Sequence, residues 1–244
     1  MLILFEAIKG RSLLICFILA AIGMVYWWLK FQKELNIRVG TAIFLAVAHV
    51  VLAIVTTKLW AILEVGGDLE RAASMRLYGA LFLMPPMYFL WAKATKRNVS
   101  LVMDASCICC AVGLVFVRLN CIKQGCCDGI CIYPGSEIHW PLREIELAYC
   151  FGFLIYFIIQ ILKRRSKGLV TPKMYITYGV LRFMMEWVRD EYTGSFGVFH
   201  LAHIWSLIAI AVGAVMYYQV RKNIRPGEAR RNDTKSKGLA KGGK

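Results

Sequence analysis

Acidic residues are scarce in this sequence. Asp and Glu number 15 against 30 Lys and Arg, and charged residues fill only 18% of the 244 positions. Soluble domains carry about 25% charge and roughly 45–50% apolar residues. This chain is 59% hydrophobic, which is too apolar for a domain bathed in water. Disorder is excluded for most of it, because a disordered chain needs low hydrophobicity. Its length excludes a disulfide-stapled mini-protein. No internal repeat is visible, and no basic patch with interleaved aromatics, so nucleic acid is not an expected partner. A small-x-small cleavage site is missing too. Lys9 and Arg11 precede an apolar run as in a secretory leader, but the run ends in Tyr26-Trp27-Trp28-Leu29-Lys30. An uncleaved helix with an aromatic interfacial end fits better.

What is present in abundance is apolar sequence at membrane-spanning length, about 20 residues per helix. Seven segments qualify: Ser12–Leu29, Thr41–Leu63, Leu77–Ala92, Leu101–Ile122, Ile145–Leu162, Met174–Val188 and Leu201–Val220. The fold class read from them is an all-α polytopic membrane protein, with residues 1–220 as one transmembrane domain. The third segment carries Pro85-Pro86 and is expected to kink or break there. The loops after segments one, three and five, with the tail, hold 20 Lys and Arg; the N-terminus and remaining loops hold 7. The positive-inside rule then places the N-terminus outside and the C-terminus in the cytoplasm. Residues 221–244 are basic, Gly-rich and poor in apolar residues. They read as a disordered cytoplasmic tail that reinforces topology, near anionic lipid.

Charges inside spans are expensive and by default point to function. Lys58 lies near the outer end of its segment and can snorkel. Asp104, near the inner end of segment four, reads as wet or paired with Lys96 or Arg97. Arg182 and Glu186 differ. At about 100° per residue, Tyr175, Tyr178, Arg182, Glu186 and Arg189 share one helix face. Such a polar stripe must face protein or a water-filled cavity. The plain alternative is a structural ion pair, which needs neither the third charge nor the tyrosines. Arg118 lies in the outer half of segment four. Two arginines on two helices reaching toward the outer leaflet match a phosphate, because guanidinium forks bond phosphate oxygens bidentately. In a membrane the fitting anion is a phospholipid headgroup.

Cysteines number 9, so at least one is unpaired or bonded elsewhere. Cys16, Cys107, Cys109, Cys110 and Cys150 lie in apolar helices, where cysteine acts as a small hydrophobe. Cys121, Cys126, Cys127 and Cys131 cluster beyond segment four. Three readings stay open for them: a disulfide on the oxidising side, a metal site, or a tight turn under the active site. No histidine or second CxxC pair stands at zinc spacing, and no metal is expected. His139, His200 and His203 lie in or beside outer loops and read as hydrogen-bonded edge residues.

The stretch Val117-Arg118-Leu119-Asn120-Cys121-Ile122-Lys123-Gln124-Gly125-Cys126-Cys127-Asp128-Gly129 resembles the signature of the prolipoprotein diacylglyceryl transferase family, roughly G-R-x-G-C-F-x-x-G-C-C-x-G. Tyr178-Gly179-Val180-Leu181-Arg182-Phe183-Met184-Met185-Glu186-Trp187-Val188-Arg189 is similar to that family's Y-G-x-x-R-x-x-x-E-x-x-R. Tyr78-Gly79-Ala80-Leu81 resembles its H/Y-G-G-L-I element, and Pro141 to Glu146 its P-x-Q-L-Y-E. The order and spacing agree over roughly residues 40–220.

The resemblance implies a bacterial cytoplasmic-membrane enzyme with its active site toward the outer leaflet. Its substrates would be phosphatidylglycerol and a prolipoprotein signal peptide with a lipobox cysteine. The cysteine sulfur would attack the glyceryl carbon, forming a thioether and releasing glycerol 1-phosphate, with no cofactor. By the match, Arg118 and Arg182 hold the phosphate and stabilise the leaving charge. Glu186 orients Arg182. Tyr78 stands where many members have a histidine, a candidate base; an unperturbed tyrosine, pKa about 10, is a poor base at neutral pH. Arg189, Tyr178, Gly79, Gln124, Gly125, Gly129 and Glu146 become substrate-binding candidates, the two loop glycines by allowing close approach to lipid. The Q-L-Y-E element reads Arg143-Glu144-Ile145-Glu146 here, and Cys121 stands near the family's asparagine. The proton then goes to Glu186, Glu144 or a cysteine, or the acceptor differs, or catalysis is lost. Two other functions fit the same residues: an anionic-lipid-binding protein or transferase to another acceptor, and a membrane thiol-redox protein using the clustered cysteines.

Overall fold

The computed structural model describes residues 2–67, 76–125, 129–133, 138–162, 168–189, 195–196 and 199–241. Side chains of 2–13, 161–162, 195–196, 199 and 223–241 are outside the description. Cys126, Cys127 and Asp128 lie outside the described residues.

Seven helices account for nearly all of it: α1 (Leu2–Leu35), α2 (Val39–Glu64), α3 (Leu77–Ala94), α4 (Val99–Gln124), α5 (Leu142–Leu162), α6 (Val170–Glu186) and α7 (Leu201–Lys241). A small antiparallel hairpin, β1 (Ser195–Phe196) with β2 (Phe199–His200), leads into α7. The fold is a polytopic helical membrane protein, each helix coinciding with one apolar segment of the sequence. α1, α2, α4 and α7 are long and apolar enough to cross a membrane.

α4 is the centre of the bundle. Two thirds (67%) of its apolar window is buried, against 28% for α1, α2 and α7. Those three present apolar side chains outward instead. On α2, Phe44, Val47, Val51 and Val55 are exposed at three- and four-residue spacing, a lipid-facing stripe. A helix at the core needs defined ends. Asn98 accepts a hydrogen bond from the Leu101 amide at 3.2 Å at the α4 N-terminus. Gly125 closes the other end in the left-handed conformation, φ 64°, its N–H pointing to Cys121 and Ile122 carbonyls. Arg97 reaches back to cap the end of α1, bonding the Leu35 carbonyl at 2.9 Å and also the Asn36 carbonyl.

Two expectations are corrected. Of the kink or break expected at Pro85-Pro86, the break does not occur: α3 is one helix from Leu77 to Ala94. A proline removes the N–H that would bond the carbonyl four residues back. For Pro85 that carbonyl is Leu81, and the Tyr175 hydroxyl of α6 donates to it. A neighbouring helix thus satisfies the group that the proline leaves open. Asp104 is neither wet nor paired with Lys96 or Arg97. It is buried, and its carboxylate accepts from the backbone N–H of Gly168 at 3.0 Å and of Thr171 at 3.2 Å. It is the anionic cap that α6 lacks in its own sequence, supplied from α4.

Where the sequence suggests a disordered tail from 221, the backbone continues α7 to Lys241.

Candidate functional site

One end of the bundle gathers the C-terminal ends of α4 and α6 and the first turns of α3, α5 and α7. It brings together residues from all four sequence motifs. Arg118, near the end of α4, places Nη2 2.5 Å from Glu146 Oε2 on α5. Arg182 on α6 donates from Nη1 to Glu146 Oε1 at 2.8 Å. Its Nη2 lies 3.2 Å from Glu186 Oε2, one turn further along α6. Arg189, just past α6, lies 3.7 Å from each carboxylate, Nη2 to Glu146 and Nε to Glu186.

All five side chains are withdrawn from the surface. Glu146 and Glu186 are 2% and 1% exposed, and each arginine side chain is 11% exposed. Burial and the neighbouring Arg182 charge pull Arg189 below its ordinary pKa, but a guanidinium stays charged in proteins. Three arginines against two glutamates leave one excess positive charge. In a buried setting that charge acts through a low effective dielectric and attracts an anion far more strongly than at the surface. The cluster therefore carries the charge that an anion would need.

The loop after α4 is tied to this cluster through the backbone. Gly129 forms an antiparallel bridge with Arg189, and the Ile130 amide donates to the Val188 carbonyl at 2.9 Å. A Cβ on Gly129 would come within 2.6 Å of Trp140 Cβ and 2.8 Å of the Val188 carbonyl oxygen. Only glycine fits between those two segments. Gly79 sits against α2, where a Cβ would meet the Thr56 carbonyl oxygen at 2.1 Å; it lets α3 touch α2. Gln124 is the last residue of α4 and is half-buried.

Tyr78, in the first turn of α3, is buried. Its hydroxyl lies 2.8 Å from Ser206 Oγ and donates to the Ala202 carbonyl at 3.1 Å, both on α7. The Arg182 guanidinium faces the same hydroxyl. Tyr178 is buried on the α6 stripe with its ring 6.1 Å from that of Tyr149. Glu144 stays outside the cluster, in an exposed pair with Arg143 at 3.1 Å. His139 bonds the Gly129 carbonyl at 2.8 Å through Nδ1. His203 is fully buried and its Nδ1 accepts the His200 amide at 3.0 Å. Among the described residues no group of three or more potential ligands is placed to hold a metal.

The sequence reading does not anticipate three features. Glu146 is the hub, bonded to more arginines than Glu186. Its signal is position: a carboxylate one residue inside an expected span is as costly as Arg182. Ser206 and the Ala202 carbonyl as partners of Tyr78 have no sequence signal beyond a polar residue in an apolar segment. His49 hydrogen-bonds Tyr88 at 2.7 Å in the buried core, away from this end.

The family model described as prolipoprotein diacylglyceryl transferase matches residues 11–219. The chain is 23% identical over 159 residues to "Phosphatidylglycerol--prolipoprotein diacylglyceryl transferase 2" of Clostridium perfringens, covering 60% of this chain and 62% of that protein. It is 25% identical over 155 residues to "Phosphatidylglycerol--prolipoprotein diacylglyceryl transferase" of Clostridium tetani, covering 58% and 62%. The matched part therefore spans less than two thirds of either relative's length.

Proposed function

The chain belongs to the prolipoprotein diacylglyceryl transferase family, and from that premise we propose that it transfers diacylglyceryl from phosphatidylglycerol to the lipobox cysteine of a prolipoprotein. The observation that carries the reading is the convergence of Arg118, Arg182 and Arg189 on two buried carboxylates with positive charge to spare. That is a place for a lipid phosphate, at the bundle end that the loop charges put outside.

The step balances as follows. The cysteine sulfur attacks the glyceryl carbon and an S–C bond forms. The bond from that carbon to the phosphate oxygen breaks. The thiol proton ends on the departing oxygen, and glycerol 1-phosphate leaves. No metal, cofactor or oxidant enters.

Charge develops on the departing phosphate. Fixed cations aimed at it are commonly the largest catalytic contribution. Arg118 and Arg182 fill that role, and Glu146 and Glu186 hold their guanidiniums in place. Tyr78 occupies the family's histidine position. Its hydroxyl is bound to α7 and faces Arg182, which suits it to position that arginine rather than to take a proton. The sulfur attacks opposite the departing oxygen, so the thiol proton reaches that oxygen through another group, for which the Glu186 carboxylate is the candidate. The Gly129 loop holds Arg189 through backbone bonds, and Tyr178 is buried on the same α6 face as Arg182.

The test is glycerol phosphate release by the purified protein in detergent, given phosphatidylglycerol and a lipobox-cysteine peptide. Release that needs both the peptide thiol and the arginines supports the reading. Arginine-dependent lipid binding without release means that the site serves another acceptor or none.

A further inference from the structure

Glu146 lies where a phosphate would be expected. It forms an ion pair with Arg118 at 2.5 Å, accepts a hydrogen bond from Arg182 at 2.8 Å, and stands 3.7 Å from Arg189. Its carboxylate does more than hold two guanidiniums. It lowers the charge of the site from two in excess to one. Arg189, 9% exposed, pairs only loosely with Glu146 and Glu186, at 3.7 Å through Nη2 and Nε. Its Nε and Nη2 make no hydrogen bond among the described residues. An entering anion meets one net positive charge and an arginine with unspent donors.

Anion charge acts on binding there in two opposed ways. Attraction to the site grows in proportion to the anion's charge. The cost of taking the anion out of water grows with the square of its charge, and in a buried site that cost is large. One excess positive charge offsets a monoanion. A dianion leaves one negative charge buried and unmatched.

We infer that Glu146 sets the charge selectivity of the site, so that the cluster accepts a phosphodiester monoanion and rejects a phosphate-monoester dianion. The inference rests on the lipid-phosphate reading above. A phosphatidylglycerol headgroup is a diester. The released glycerol phosphate is a monoester with a second pKa of about 6, and so is mostly a dianion at neutral pH. The site that takes in the substrate thus expels the product once it sheds its proton. Lipids ending in a bare phosphate are excluded on the same ground.

The test uses the full chain in detergent at pH 7.5, titrated calorimetrically with two soluble probes. One is glycerophosphoglycerol, a diester. The other is glycerol 1-phosphate, a monoester. The wild type binds the diester about tenfold or more tighter than the monoester. Glu146→Gln tightens the monoester about tenfold or more and reverses the order. Glu146→Asp, which keeps the charge, keeps the wild-type order. Equal or tighter monoester binding by the wild type overturns the inference. So does an unchanged order in a Glu146→Gln protein that still unfolds cooperatively. The wild-type comparison decides even where Glu146→Gln does not fold. A transfer assay on the same wild-type sample separates the two readings. The predicted order without transfer contradicts the catalytic reading alone; transfer with the monoester preferred contradicts this inference alone. No binding of either probe overturns this inference, and the transfer assay then decides the catalytic reading by itself.

Discussion

Arg118 and Arg182, on different helices, bind opposite oxygens of a single carboxylate: Arg118 meets Glu146 Oε2 at 2.5 Å and Arg182 meets Oε1 at 2.8 Å. A shared counter-ion holds both guanidiniums at the same point. It also makes the two arginines interdependent. Moving either one changes the carboxylate that the other leans on.

Arg118→Ala and Arg182→Ala therefore should each lower transferase turnover by about 10²–10³-fold, the usual loss for one preorganised charge donor. The double variant should lose less than the product of the two, because the pair acts through one carboxylate. Single-turnover rates on the three proteins check this. Arg182→Lys should recover only part of the loss, since a lysine keeps the charge but not the two-pronged geometry.

Tyr78→Phe removes a hydroxyl bound to Ser206 and to the Ala202 carbonyl. Turnover should fall by less than about tenfold, whereas loss of a true general base costs about 10²–10⁴-fold. Thermal unfolding in detergent should show a loss of about 1 kcal/mol for the missing hydrogen bonds. A rate loss in the base range would return Tyr78 to the proton-transfer step.

Gly129→Ala forces a Cβ to within 2.6 Å of Trp140 Cβ and 2.8 Å of the Val188 carbonyl oxygen. The loop must retreat from Arg189, at a cost of about 1–3 kcal/mol. Activity should fall with it. Gly125→Ala meets only Arg143 Nη1, at 4.0 Å, but must adopt φ 64°. Its cost should be about 1–2 kcal/mol, with turnover per folded molecule retained better than in Gly129→Ala. The contrast in kcat, at matched folded protein, separates packing against the cluster from helix capping.

Asp104→Ala strips the cap from α6 and leaves the Gly168 and Thr171 amides buried without it. The expected loss is about 1–3 kcal/mol. Asp104 lies at the opposite end of α4 from Arg118, so turnover at temperatures well below unfolding should stay close to wild type. A large rate defect in a stably folded variant would show that the α6 position is coupled to its N-terminal anchor.

The helices were legible because hydropathy at spanning length is local. Each apolar segment became one helix. The polar stripe on α6 was legible for the same reason, since Tyr178, Arg182 and Glu186 announce a face by spacing alone. The partners of that face were not. Glu146 lies on another helix, and the Gly129–Arg189 bridge joins two loops far apart in the chain. No periodicity encodes which helix a charge will meet. Asp104 misled because sequence proximity favoured Lys96 and Arg97, while the helix end that needed an acceptor was on α6. The Pro85-Pro86 break failed likewise: the rule is local, but the Tyr175 hydroxyl that answers the Leu81 carbonyl is not.

The central claim is that the arginine cluster holds the phosphate of a lipid whose diacylglyceryl group goes to a thiol. Glycerol phosphate release, followed with phosphatidylglycerol and a lipobox peptide, tests it most directly. The account predicts release that stops when the peptide cysteine is replaced by serine and falls about 10²-fold or more in Arg118→Ala and Arg182→Ala. Release that persists in both arginine variants, or that does not need the thiol, would contradict it.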